Sequence, residues 1–241
     1  MCNRTFWFFV LALTLFFSTE QGRAEVETRP PVDKKFVLML PGRGLERTTT
    51  PLGKLARLVY TTPHPEIQRD LPQKLACRKF VIVFVDDEKT LSGKTVFAEQ
   101  VTMGGPEECP GWMPALRISV SKLMNPNVSD GFKQVSIWHE YIHLKQAWAY
   151  GPPYFKKADT IGEKTTEAMV RNNYERELEA FKGMLALGHK MKIDPPYSPF
   201  TYAKAFGDEN GARMAVEDQM TGRPEFKSFK DLIRQLAKLE K

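Results

Sequence analysis

Residues 129–151 read Ser-Asp-Gly-Phe-Lys-Gln-Val-Ser-Ile-Trp-His-Glu-Tyr-Ile-His-Leu-Lys-Gln-Ala-Trp-Ala-Tyr-Gly. Phe132 to Tyr150 contains neither Pro nor Gly. Ser129 and Asp130 stand where an N-cap belongs, and Gly151 with Pro152 and Pro153 ends the run. These are the start and stop signals of a helix near residues 131–150. Inside it, His139 and His143 are four positions apart. That spacing puts both imidazoles on one helical face, one turn apart, close enough to grip a single metal ion. Glu140, next to the first histidine, can take a proton from a metal-activated water and pass it to a leaving amine.

Working upstream, the period of the sequence changes to that of strands. Phe36 to Leu40 is a short apolar run ended by Pro41-Gly42, and Phe80 to Val85 is β-branched and aromatic. A second strand is expected near 95–103 after Ser92-Gly93, giving a hairpin with the 80–85 strand. Ala115 to Ser121 alternates apolar with polar and reads as a half-exposed strand. A short helix fits Leu52–Tyr60, but Pro51, Pro63, Pro65 and Pro72 break longer elements between 43 and 75. Downstream, helices are expected at about 131–150, 161–191, 208–221 and 226–239, with Gly- and Pro-containing breaks between them. Strands first and helices second predict an α+β fold, sheet-rich over 35–125 and helical over 126–241. Ser92-Gly93-Lys94-Thr95 is not a phosphate-binding loop, because position 88 is Glu where that motif requires Gly.

The His-Glu-Tyr-Ile-His segment resembles the zinc-binding helix of the zincin metallopeptidases. The resemblance implies a zincin-like fold: a mixed or antiparallel sheet precedes the active-site helix, and its edge strand pairs with an extended substrate. Ala115–Ser121 is the expected edge. The metzincin extension is absent, since positions 146 and 149 are Gln and Ala instead of Gly and His. What remains is similar to the gluzincin pattern, in which a later helix supplies a glutamate as third ligand. That helix often carries Glu-x-x-Ala-Asp; Glu177 and Ala180 fit it, and Phe181 departs from it. The acceptor that the aspartate would offer to the ring N–H of a liganding histidine must come from elsewhere, with Asn172 and Asn173 as candidates. The resemblance also implies an oxyanion-stabilising donor, for which Tyr154, His189, Tyr197 and Tyr202 are candidates.

Helical geometry separately distinguishes the three glutamates at 175, 177 and 179. At about 100° per residue, Val170, Tyr174, Phe181, Met184 and Gly188 fall within about 60° of Glu177, while Glu175 and Glu179 lie about 160° away with Lys182. A carboxylate in an apolar stripe is costly unless a zinc ion, or a buried Arg or Lys, compensates its charge. The expected metal set is therefore His139, His143 and Glu177, the cofactor Zn2+, and the general base Glu140. His64, in Thr62-Pro63-His64-Pro65, is expected to be an exposed loop residue.

The ends of the chain and its composition place this site. Met1 to Arg4 carries one positive charge, Phe6 to Phe17 is apolar apart from Thr14, and Gly22 and Ala24 are the small residues at the −3 and −1 positions of a cut after Ala24. That is the plan of a secretory signal peptide over 1–24, too short in its apolar run to span a bilayer. A polar leader over 25–34 and one catalytic domain over 35–241 complete the expected organisation. The mature protein is expected to be secreted or periplasmic, without stable membrane insertion. Its two remaining cysteines, Cys77 and Cys109, are then expected to form a bridge. Of 241 residues, 42% are hydrophobic and 27% charged, which excludes fibrous and wholly disordered classes. The net charge of +6 is scattered, so no nucleic-acid partner is expected.

The function expected is an exported zinc metallopeptidase acting on peptide or protein substrates. Two alternatives stay open: a non-catalytic protein in which zinc staples two helices, or a zinc hydrolase of a cell-wall amide. No other His or Cys lies near the motif to close a fourth coordination position, which favours a site open to water.

Overall fold

Burial on both faces organises the sheet. In the computed structural model, which describes residues 35–44, 49–85, 97–104, 112–150, 165–193 and 197–238, these segments belong to one compact unit, Asp33–Lys241. Strand β1 (Lys35–Val37), β2 (Val81–Val85), β3 (Ala98–Gly104) and β4 (Trp112–Ser119) form a mixed sheet in the order β1-β2-β4-β3. All five residues of β2 are buried. Ile82 and Phe84 face the main core with Leu116 and Ile118, whereas Val81, Val83 and Val85 join Ala115 in a smaller cluster on the opposite face. A strand covered twice has no need of alternation, which is why it reads as a continuous apolar run.

This order overturns two expectations. β2 does not form a hairpin with β3; it pairs in parallel with β4, and β3 pairs antiparallel with β4 on the far side. Parallel neighbours cannot be joined by a tight turn, so the strand between them in sequence is displaced outward. The segment expected to be the edge, Ala115–Ser121, is therefore interior, with Ala115, Leu116 and Ile118 fully buried, and its last two residues begin a helix. Among the described residues the edges are β1 and β3. The hairpin turn around Ser92-Gly93 lies outside the described residues.

Helix α1 (Pro51–Thr61) begins where Thr50 Oγ1 accepts the Gly53 N–H at 3.1 Å, a cap worth about 1 kcal/mol. The prolines beyond it do not forbid structure: a π-helical turn over Glu66–Asp70 runs into α2 (Leu71–Ala76). Pro72 sits in the first turn of α2, where a missing N–H costs nothing. His64 is not a solvated loop residue. It is half-buried, with its ring 3.9 Å from that of Trp138.

After β4 the chain is helical: α3 (Val120–Met124), α4 (Asp130–Tyr150), α5 (Glu167–Met191), α6 (Phe200–Phe206), α7 (Asp208–Thr221), a 3-10 turn over Pro224–Phe229, and α8 (Lys230–Leu236). Ser129 Oγ accepts the Phe132 N–H at 3.2 Å and so caps α4. Asp130 instead pairs with Lys54 of α1 at 2.7 Å. Thr166 caps α5 through the Met169 N–H, and Lys192 in the left-handed conformation ends it. α6 has no counterpart in the sequence reading, and the last expected helix opens as a 3-10 turn.

α4 and α5 approach closely at Gly183, whose carbonyl accepts the Trp138 indole N–H at 3.1 Å. A Cβ at Gly183 would overlap Ile142 Cδ1, so any larger residue there would have to displace that side chain. The close crossing brings Glu177 of α5 opposite the histidines of α4. No described helix is long and apolar enough to cross a membrane. The segments expected as signal peptide (1–24) and leader (25–34), together with Tyr154 and Cys109, lie outside the described residues. Cys77 is exposed with a free thiol.

Candidate metal centre

The apolar stripe of α5 falls where its periodicity puts it. Val170, Tyr174, Met184 and Gly188 are buried with Glu177, while Glu175, Glu179 and Lys182 are exposed. Glu177 is thus a carboxylate inside a helix–helix interface, only 7% exposed, beside His139 at 5% and His143 at 7%. The three form a buried group that could hold a metal ion. Nε2 of His143 lies 3.2 Å from Nε2 of His139. Oε2 of Glu177 is 3.3 Å from the former and 3.5 Å from the latter. Two donors bound at about 2.0–2.1 Å to a tetrahedral zinc stand about 3.3 Å apart, so the donor set fits that ion in size.

A hydrogen-bond chain sets the state of His143. The Gln146 amide nitrogen donates to Arg176 O at 3.1 Å and to Glu179 Oε2 at 2.7 Å. With its NH2 directed to two acceptors, Gln146 turns its oxygen to His143 Nδ1, 2.8 Å away. That nitrogen must then carry the proton. The other ring nitrogen faces Glu177 Oε2 at 3.3 Å, a pair that needs a proton or a metal ion between them. The site also depends on Glu179, exposed as its helical position requires, because its carboxylate holds the amide that holds the histidine.

His139 is held differently. Among the described residues its buried Nδ1 has no hydrogen-bond partner, and its ring packs against Phe181 with centroids 4.6 Å apart. Phe181 thus occupies by contact the place where the gluzincin pattern has an aspartate. Asn172 is exposed, and Asn173 accepts from Arg176 Nη1 at 3.5 Å; among the described residues neither bonds to a histidine of the site.

Two residues from far along the chain complete the surroundings of Glu177. Arg223 Nη2 donates to Glu177 Oε1 at 2.9 Å. With the Gln219 amide oriented as its neighbours require, donor toward carboxylate and acceptor toward guanidinium, its nitrogen donates to Glu177 Oε2 at 3.1 Å and its oxygen accepts from Arg223 Nη2 at 2.7 Å. Burial alone would raise the Glu177 carboxyl. The charges of His143 and Arg223 and hydrogen bonds from both imidazoles outweigh it, and the group is held well below the usual carboxylate range. Of the two partners expected for Glu177, the structure shows the arginine, half-buried Arg223 on Oε1, while Oε2 faces the two imidazoles.

Glu140 is half-buried, with Oε1 3.9 Å from His139 Nε2. Its other oxygen accepts the backbone N–H of Gln100 at 2.7 Å. Gln100 lies opposite Leu116 on edge strand β3, and this N–H points away from β4. A cleft of about 360 Å³ opens here, lined by Ala98 of β3, Phe132, His139, Glu140, Phe181 and Gln219.

Of the described oxyanion candidates, Tyr197 stacks on cleft-lining Phe132 with ring centroids 4.2 Å apart. Tyr202 is half-buried on α6. His189 pairs with Asp208 at 2.9 Å near the end of α5, about 18 Å along the helix from Glu177 and out of reach of the site. Gln146, Gln219, Arg223 and the Gln100 amide escaped the sequence reading. Only Gln146 left a local signal, three positions after His143 on the same helical face.

No protein-family model, curated protein or solved structure matches this chain.

Proposed function

We propose that this chain is an exported zinc-dependent hydrolase with a zincin-like catalytic domain, acting on peptide bonds. The observation that carries the reading is the buried convergence of His139, His143 and Glu177 at the separations of tetrahedral zinc ligands, with a second carboxylate, Glu140, beside it. His139, His143 and Glu177 would hold the ion. Zinc, when bound, supplies a Lewis acid that polarises a carbonyl and acidifies water toward a pKa of about 7.

The chain's own residues account for the rest. Glu140 takes the proton lost by water as its oxygen adds to the scissile carbonyl carbon, and returns it to the amine nitrogen as the C–N bond breaks. The Gln100 N–H keeps that carboxylate turned toward the cleft between α4 and β3. Apart from the Gln100 N–H, which Glu140 occupies, the outward backbone groups of β3 support an extended substrate, since an open edge pairs with an added strand. This assigns to β3 the role that the sequence alone would give to the 115–121 segment.

The test is metal analysis of the purified chain together with casein and peptide-library cleavage, with and without chelator. One zinc per chain and chelator-sensitive cleavage are expected. Glu140→Gln should keep the zinc and lose about 10² to 10⁴-fold in turnover. Bound zinc with no hydrolysis of any amide would instead favour the stapling role, and cleavage confined to cell-wall amides would move the substrate class.

A further inference from the structure

Glu177 has two carboxylate oxygens, and the fold treats them unequally. Oε1 faces Arg223, while Oε2 faces both imidazoles. Gln219 touches Oε2 from the other side and is itself gripped by the same Arg223 nitrogen that holds Oε1. An ionised carboxylate offers about four lone-pair sites. With Arg223 on one oxygen and Gln219 on the other, the direction left on Oε2 is the one aimed at His139 and His143. Arg223 is half-buried, begins the turn after α7, and is 46 positions from Glu177 in sequence. Nothing in the packing of that turn demands a guanidinium, because Phe226 and Ile233 already anchor the segment in the core.

Resting on the metal-centre reading above, we infer that Arg223 is a positioning residue: with Gln219 it turns Glu177 so that a single oxygen is presented to the metal. A carboxylate free to turn could offer both oxygens and fill a position that a hydrolase needs for water. The C-terminal helices thereby become part of the centre, although they carry no ligand. A plain ion-pair staple between α5 and the turn would be a different thing. It would change the stability of the chain and leave the metal affinity of the folded protein alone.

Zinc affinity of the metal-stripped chain, measured by competition with a chelating indicator on protein checked for folding by circular dichroism, separates the two. Arg223→Met should weaken zinc binding about 10- to 100-fold. Arg223→Lys should restore most of the affinity, since one ammonium nitrogen can reach both Glu177 and Gln219. Gln219→Leu, which keeps the ion pair, should give a smaller loss. Wild-type affinity in Arg223→Met, or equal weakening in the Met and Lys variants, overturns the inference. If Arg223→Met does not fold, the Gln219→Leu arm decides, and unchanged affinity there overturns it. Failure of the unsubstituted chain to bind zinc would be recognisable separately, because it removes the metal-centre reading itself.

Discussion

His139 and His143 belong to one motif on one helix, yet their surroundings share little. Around His143 the contacts are directional: Gln146 accepts the hydrogen bond of the ring N–H, and Glu179 and Arg176 O orient Gln146. Around His139 they are not: the ring rests on Phe181, and Nδ1 has no hydrogen-bond partner among the described residues. A hydrogen-bond chain fixes both the place of a ring and its tautomer, whereas packing fixes the place alone. The two ligands would therefore enter the same centre with different amounts of preparation.

The largest effect tests whether both rings bind at all. His139→Ala and His143→Ala should each lose most of the zinc found in the unsubstituted chain, as read by metal analysis after dialysis. Unaltered metal content in both would remove the centre, and with it the comparison.

The next effect separates the two surroundings. Gln146→Leu frees both the orientation of the ring and its tautomer, and should weaken zinc binding about 10- to 100-fold. Phe181→Leu removes only ring packing worth about 0.5–1 kcal/mol, a two- to fivefold loss. Chelator competition on the two variants side by side gives the order, and a reversed order would mean that packing is the stronger constraint.

The smallest effect reaches one residue further out. Glu179→Ala should weaken zinc less than Gln146→Leu, because Arg176 O still holds the amide. Glu175→Ala, on the same exposed face and outside the hydrogen-bond chain, should leave affinity unchanged. Equal effects from the two would show that charge on this face matters and the hydrogen-bond chain does not.

The fold was legible where short-range pattern and burial coincide. α1, α4 and α7 fall within a residue or two of their sequence boundaries, because caps, breaks and a 3.6-residue period act within a few residues. The α+β class followed from the order of those elements. Strand order did not. β2 and β4 are parallel neighbours buried on both sides, and pairing between strands about 30 residues apart writes no signature into either one.

The candidate site divides in the same way. His139 and His143 share a face because the spacing of a helix puts them there, and Glu177 is singled out by the stripe in which it sits. Those positions were determined by sequence alone, since helical geometry relates residues three and four apart whatever else the chain does. Tertiary structure decided that Gln146 orients one imidazole and Phe181 supports the other, that Arg223 and Gln219 divide the oxygens of Glu177, and that an amide of β3 faces Glu140. The α4–α5 contacts join residues 30 to 45 positions apart, and the others 40 and 46. Only packing around the shared core and the close crossing at Gly183 bring such segments together.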